Sequence, residues 1–389
     1  MLRTYKYRLW TNSNQERELG IMLETHRRLY NACLDQRKIA YETEKRSIKY
    51  GEQSSWYKSQ RAVNPHFAKL NFSSAQATMR RLDRAFTAFF RRLKTGGKPG
   101  YPRFKATDRF SSVEFPTHGD GIRLTGNRLR IQHVGIVKVC LHRLLPDDAQ
   151  IRTLTVTRES DKWYLEACFK VPDMEPVLSN LPAVGLDVGI EHFLTTSDGK
   201  HIPNPGYLKS VLPELRRTQR SLSRKKKGGS NRAKVKHQVR KLHTRVKNLR
   251  SDHRHKTTLD LMRRYGYIAV ESLNVKGMLG NRRMSRAISD VAWSAFIATL
   301  THKAESAGAT VVQVAPQGTS QECSGCGQIV QKKLSERWHN CPHCGLSLQR
   351  DVNAARNILA RAFASPGSGE WDLTVLKQGT VSQEAVCFS

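Results

Sequence analysis

"LPAVGLDVGIEHFLTTSDGK", residues 181–200, reads as a strand, a tight turn and a second strand, opening a new unit just after a proline. Asp187 stands in its first strand between Leu186 and Val188. A charge in or at the end of a core strand costs several kcal/mol, roughly, unless it is paired or bound to a cation. Asp187 is therefore the position to account for, although alone it could close a turn with Gly189.

Two more acidic residues stand in similar places. Glu271 ends the apolar run of "GYIAVESL", residues 266–273, and Asp351 opens the helical "QRDVNAARNIL", residues 349–359. Singly, Glu271 could be an exposed strand end and Asp351 a helix N-cap. The chain order carries more: an Asp strand, basic helices, a Glu strand, the strand "TVVQVAP" at 310–316, then an Asp helix. Two carboxylates on different strands and a third at a helix start could converge. Their repulsion would call for a hard cation, and oxygen ligands with a polyanionic partner point to Mg2+ or Mn2+. Two ions about 4 Å apart would clamp the attacking water and the leaving oxygen of a phosphodiester.

The charge balance names the partner class. The chain has 389 residues, 66 Lys plus Arg against 33 Asp plus Glu, and a net charge of +33. That excess favours a polyanion. Residues 206–256 hold 18 basic and 2 acidic residues, read as two basic helices turning at Gly228-Gly229. Self-repulsion on that scale needs a counter-polyanion. No apolar run approaches the ~18 residues of a membrane span, and "MLRTYKYRLW" lacks a signal-peptide core. The expectation is a cytoplasmic, nucleic-acid-facing protein without a membrane partner.

Cys323, Cys326, Cys341 and Cys344 form two Cys-x2-Cys pairs separated by fourteen residues. This spacing predicts a closed tetrahedral Zn2+ site that is structural, with Gly325, Gly327 and Gly345 easing the turns. His339 and His343 are spare, read as nucleic-acid or solvent contacts and not as ligands. Cys33, Cys140, Cys168 and Cys387 are scattered and read as unpaired. The ribbon lies between a core strand and the Asp351 helix, so it is an insert.

Residues 2–9 read as a strand, and "SNQE", 13–16, as a capping box at the start of a helix carrying Leu19, Met22, Leu23, Tyr30 and Cys33 on one face. "SSAQATMRRLDRAFTAFFRRL", residues 73–93, predicts a second helix with Met79, Leu82, Phe86, Phe89 and Leu93 along its apolar line and arginines off it. Residues 105–172 are β-rich and fit a small antiparallel barrel, with a hairpin near Gly126-Asn127. "SDVAWSAFIATLTHKAESAG", 289–308, reads as one helix, and 365–389 as a mobile tail.

With these residues in hand, the chain resembles the TnpB family, transposon-encoded relatives of type V CRISPR effectors. The matching pieces are "RRLDRAFTAFFRRLKTGGKPGYPRFK", "GLDVGI", "AVESLNVKGM", "TSQECSGCG" and "CPHCGLSLQRDVNAARNIL". The resemblance spans about residues 1–363 and implies an α+β multidomain protein that is an RNA-guided DNA endonuclease. Residues 1–10 and 98–181 would form a wedge β-barrel and 11–97 a helical recognition domain. Residues 182–319 and 349–364 would form a RuvC-like, RNase H-type nuclease domain, interrupted by a zinc ribbon at 320–348. Asp187, Glu271 and Asp351 would be its catalytic, Mg2+-binding acids.

The implied guide RNA derives from the transposon end, with one protein per RNA. Base pairing reads a double-stranded DNA target beside a short motif that the protein reads. Gln76 could face an adenine edge, Arg80 a guanine or a phosphate, and Arg350 the scissile phosphate. "NVKGMLGNRRMSRAISD", 274–290, resembles the family's lid over the nuclease site. Such a protein would act at the prokaryotic nucleoid and support transposon maintenance.

Rival readings are a catalytically silent RNA-guided repressor and a zinc-ribbon RNA-binding protein. A transposase of the His-hydrophobic-His kind is a third, and "HRH" at 253–255 matches it poorly.

Overall fold

The computed structural model describes residues 2–143, 149–171, 181–333 and 336–364, so the 365–389 tail lies outside the described residues. The chain divides into two units, Met1–Asp173 and Met174–Ser389.

The first unit starts with β1 (Leu2–Trp10), then α1 (Ser13–Glu44), α2 (Tyr50–Val63), α3 (Pro65–Ala68) and α4 (Phe72–Lys94). Six strands follow: β2 (Ser112–Phe115), β3 (Ile122–Thr125), β4 (Arg128–Ile131), β5 (Gly135–Cys140), β6 (Gln150–Glu159) and β7 (Lys162–Lys170). They join β1 in a sheet of order β2-β6-β7-β1-β5-β4-β3. All its pairings are antiparallel, and the β3–β4 hairpin turns at Gly126-Asn127. Among the described residues the edge strands β2 and β3 do not pair with each other, so the barrel expected from the sequence is an open ladder here. Period-two burial of Trp163, Leu165, Ala167 and Phe169 on β7 turns one face to the core.

The α1 helix is capped one residue earlier than the sequence suggested. Asn12 Oδ1 accepts from the Gln15 amide at 2.9 Å, and Gln15 Oε1 accepts from the Asn12 amide at 3.1 Å. Glu16 is taken instead by the Thr11 hydroxyl at 2.9 Å. On α4 the apolar line holds for Met79, Leu82 and Phe86, whereas Leu93 is exposed. Arg81 departs from the outer face: its guanidinium turns inward to the carbonyl and hydroxyl of Ser112.

The second unit is built on β8 (Ala183–Asp187), β9 (His192–Thr196) and β10 (His201–Pro203). The basic helices α5 (Tyr207–Arg224) and α6 (Ser230–Arg264) come next, then β11 (Tyr267–Glu271). α7 (Val275–Met278), α8 (Ser285–Val291), α9 (Trp293–Ala307) and β12 (Thr310–Val314) follow. The cysteine segment carries β13 (Trp338–Asn340) and β14 (Ser347–Gln349), and α10 (Arg350–Ala364) closes the unit. The sheet order is β10-β9-β8-β11-β12, with β8, β11 and β12 mutually parallel. β11 is buried along its whole length, as a central parallel strand must be.

The helix expected over 289–308 is broken. Ala292 adopts φ +57°, a left-handed conformation that ends α8 and starts α9 in a new direction. The break lets Trp293, Phe296 and Leu300 join Val184, Leu186, Ile268 and Val270 in one core. The α5–α6 pair has its own small core of Val211, Leu215, Leu242 and Val246.

Candidate metal and nucleic-acid site

The sheet of the second unit sorts its side chains by parity. Val184, Leu186, Ile268 and Val270 belong to the core shared with α9, whereas Tyr267, Ala269 and Val314 pack with Ile358, Leu359 and Ala362 of α10. Side chains alternate along a strand, so the odd positions of β8 and β11 face α10. Leu186 pairs with Val270 in parallel register, which sets Asp187 beside Glu271, one residue further on and on the α10 side. Asp351 lies in the first turn of α10. Three distant segments thus bring their acids to one end of the sheet.

The electrostatics agree with that placement. Burial pushes the Asp187 carboxyl up to about 8, and the charges of Glu271 and Asp351 add to the rise, while Arg350 opposes it. Glu271 is 8% exposed, so it is not the exposed strand end that the sequence left open. Its carboxyl is also raised by burial, against a lowering hydrogen bond from Thr319 and the charge of Arg361. Glu271 and Asp351 thus both lie near enough to Asp187 to disfavour its charge. Their oxygens are not gathered as tightly as the cysteine sulfurs: among the described residues, only the four cysteines bring a ligand atom each within 4.8 Å of one another. An all-oxygen donor set of this charge fits Mg2+ or Mn2+.

Arg350 sits at the junction. Its Nε lies 3.4 Å from Asp351 Oδ1, and its NH1 donates to the Glu336 carbonyl at 3.0 Å. The guanidinium therefore links the ribbon to the acids.

The cysteine insert folds as two matching knuckles. Gly327 N donates to Cys323 O at 2.8 Å and Cys323 N to Gln328 O at 2.9 Å. The second knuckle repeats this, with Gly345 N to Cys341 O at 3.0 Å and Cys341 N to Leu346 O at 2.9 Å. Gly327 and Gly345 close the turns at φ +75° and +73°, where a side chain would be strained. Gly325 serves differently: a Cβ there would press on Leu346 at 3.2 Å. A sulfur-only tetrad suits Zn2+ in a closed site. His339 corrects the sequence reading. It is fully buried on β13 with Lys332 against its Nδ1, so it is no solvent contact, whereas His343 is exposed.

The remaining candidates fall elsewhere. In the first unit Gln76 is half-buried on α4, and exposed Arg80 stacks over the Tyr50 ring at 5.2 Å. His253 packs its ring on Phe193 at 4.9 Å. Two residues apart on helix α6, His253 and His255 do not face each other, which removes the His-hydrophobic-His reading. Sequence reasoning missed Thr319, Asn353 and Asn357, polar residues that tie the sheet, the helix and the ribbon together. Asn353 and Asn357, four apart on an otherwise apolar helix face, were the available signal.

Fold and site together define an α+β protein with a zinc-ribbon-type insert beside a carboxylate-bearing sheet. Three family models match it: OrfB_IS605, described as "Probable transposase", over 166–282; a Cas12f1-like TNB domain over 293–358; and a helix-turn-helix domain over 1–46. The last segment is β1 and one long helix in this structure. A protein of Streptomyces pristinaespiralis named "Putative RNA-guided DNA endonuclease" is 30% identical, over 95% of this chain and 91% of its own. InsQ of Escherichia coli, which carries the same name, is 28% identical over 95% and 94%. The CRISPR-associated endodeoxyribonuclease Cas12f1 of Sulfoacidibacillus thermotolerans is 25% identical over 75% and 77%. The chain belongs to the TnpB family. Among the described residues no helix is long and apolar enough to cross a membrane.

Proposed function

We propose that this protein is an RNA-guided DNA endonuclease that hydrolyses phosphodiesters with Asp187, Glu271 and Asp351. The observation that carries the reading is the parallel pairing of β8 with β11, which sets Asp187 beside Glu271 on the α10 side, in electrostatic reach of Asp351. The names of its relatives support the same activity. The mixed sheet of the second unit fits a RuvC-like, RNase H-type nuclease domain over 182–319 and 349–364, with the ribbon of 320–348 inserted and zinc held by its four cysteines.

Mg2+ or Mn2+ held by the three acids would lower the pKa of a water and neutralise charge on the departing oxygen. Burial disfavours the charge on Asp187 and Glu271 until a cation is bound, and a bound cation would then act on their carboxylates with little screening. Arg350 limits that charge from the ribbon side and would contact the scissile phosphate.

The exposed lysines and arginines of α5 and α6, the latter about 50 Å long, suit the backbone of a guide–target heteroduplex. Base pairing would then read sequence, with a guide from the transposon end, one protein per RNA and a cytoplasmic site of action. Residues 11–97 would be the recognition domain, and 1–10 with 98–181 the wedge. Gln76 and Arg80 would read the adjacent DNA motif. Residues 274–290 would act as a lid, and the cut would support transposon maintenance.

The test is direct. Protein purified with its co-expressed RNA, given Mg2+ and a matched plasmid, should produce linear DNA. Asp187→Ala should abolish the cut and keep target binding. Cutting that survives this change overturns the site.

A further inference from the structure

Glu271 is held by a residue from outside both the sheet and the helix. The Thr319 hydroxyl donates to Glu271 Oε1 at 2.5 Å, with the Pro316 carbonyl a more distant acceptor at 3.3 Å. Thr319 is 4% exposed and lies on the turn leading from β12 to Cys323. A hydroxyl has a single proton, and the nearer, charged acceptor takes it.

That turn is clamped by α10. Asn357 Nδ2 donates to the carbonyls of Thr319 and Glu322 at 2.8 and 2.7 Å. Asn353 Nδ2 donates to Glu322 O at 2.7 Å, and its Oδ1 accepts from the Ser324 amide, inside the first cysteine knuckle, at 2.9 Å. Both asparagines are buried, at 0% and 5% exposure. Arg361 adds bonds to the carbonyls of Ala315 and Gln317 at 3.0 and 2.6 Å, and to Glu322 Oε2 at 2.7 Å. The helix that bears Asp351 therefore also fixes the hydroxyl that holds Glu271, and it does so at the root of the ribbon.

We propose that Thr319 is a positioning residue for Glu271: its hydroxyl fixes the carboxylate in one orientation as a metal ligand, at a place set by the clamp of Asn353 and Asn357. This rests on the reading of Glu271 given above. A threonine suits the task, because its branched Cβ leaves χ1 little freedom, so the hydroxyl does not wander. Valine has the same shape and no donor. Outer hydrogen-bond partners of metal ligands typically matter by about 10- to 100-fold in metal affinity.

The experiment measures Mn2+ binding by electron paramagnetic resonance on the full chain with its RNA, using Glu271→Ala to define the background from RNA. Thr319→Val should weaken the site by about 10-fold or more. Thr319→Ser should stay within a few-fold of wild type, and zinc content should be unchanged in both. Thr319→Val that binds Mn2+ as the wild type does overturns the inference. If valine disturbs the fold, judged by zinc loss, Thr319→Ala against Thr319→Ser decides: equal losses assign the role to the methyl group and overturn it. A Glu271→Ala protein that cuts normally would instead remove the functional reading on which the inference stands.

Discussion

A Cβ on Gly185 would lie 1.9 Å from the carbonyl oxygen of Ala355. Strand β8 and helix α10 therefore meet backbone to backbone, two residues before Asp187 and four after Asp351. The glycine sets how near the helix comes to the strand, and with it the separation of two of the three acids. Gly185→Ala must push α10 outward, because ordinary carbon–oxygen contact lies above 3 Å. The expected cost is roughly 1–3 kcal/mol of stability or more, with cleavage lost beyond what the melting shift explains. Thermal melts and plasmid cleavage at a temperature where both proteins are folded check it. A variant that cuts and melts like wild type would show that the helix has room the geometry denies.

The ribbon gives a separate prediction. Cys341→Ser removes one ligand of four and should drop bound zinc well below one ion per chain, measured by elemental mass spectrometry. Zinc binding and folding are the same event in such modules. Hydrogen exchange should therefore rise across Cys323–Gln349. Ser324 is bonded to Asn353, so the first turns of α10 should loosen too. Protection of α10 that stays at the wild-type level would mean the ribbon and helix are uncoupled.

Legibility in the sequence followed how local each signal was. Asp187 stood out because apolar residues flank it, Glu271 because it ends an apolar run, and the four cysteines because their spacing is itself the motif. The Gly228-Gly229 turn and the Gly126-Asn127 hairpin were visible as local turn chemistry. The cap of α1 slipped by one residue, because Asn12-x-x-Gln15 and Ser13-x-x-Glu16 both satisfy the pattern, and in the fold Glu16 is bonded to Thr11 instead. The break at Ala292 had no glycine or proline to mark it, and it directly precedes the buried Trp293. Thr319 was out of reach for another reason. Its importance lies in a contact with a residue 48 positions away, and nothing in the local pattern of a turn announces that.

The segment read as a lid is tied to the basic helices through one carboxylate. Asp290 Oδ1 accepts from Arg250 Nε and NH2 at 2.9 and 2.6 Å, and both its oxygens lie 3.2 Å from the Leu208 amide at the start of α5. The pair is partly shielded, with side chains 25% and 11% exposed. Asp290→Ala leaves a half-buried guanidinium and an amide without that acceptor, at a cost of roughly 1–3 kcal/mol. Amide exchange in Ser285–Val291 and at the first turn of α5 should speed up together, with Asp290→Asn in between. Faster exchange in α8 alone would mean that Asp290 does not join the two elements.

His26 on α1 is fully buried against α4. Its Nδ1 meets Thr78 Oγ1 at 2.9 Å and its Nε2 meets Ser74 Oγ at 3.3 Å, an environment that suits a neutral ring. Burial, helped by the charge of Arg81, pulls its pKa down to about 3. In the unfolded chain the ring titrates near 6.5. As pH falls below that value the unfolded state gains a proton that the folded state refuses. The contribution of His26 to stability is thus complete above about pH 6.5 and is lost as pH falls toward about 3. Between pH 7 and 5 the wild type should lose roughly 2 kcal/mol more than His26→Gln, which has no such proton to take up. Glutamine also forfeits packing, so the variant starts lower, and only the slopes are compared. Denaturant melts followed by circular dichroism at the two pH values measure them. Parallel slopes would mean that the ring is charged, or reached by water, in the folded protein.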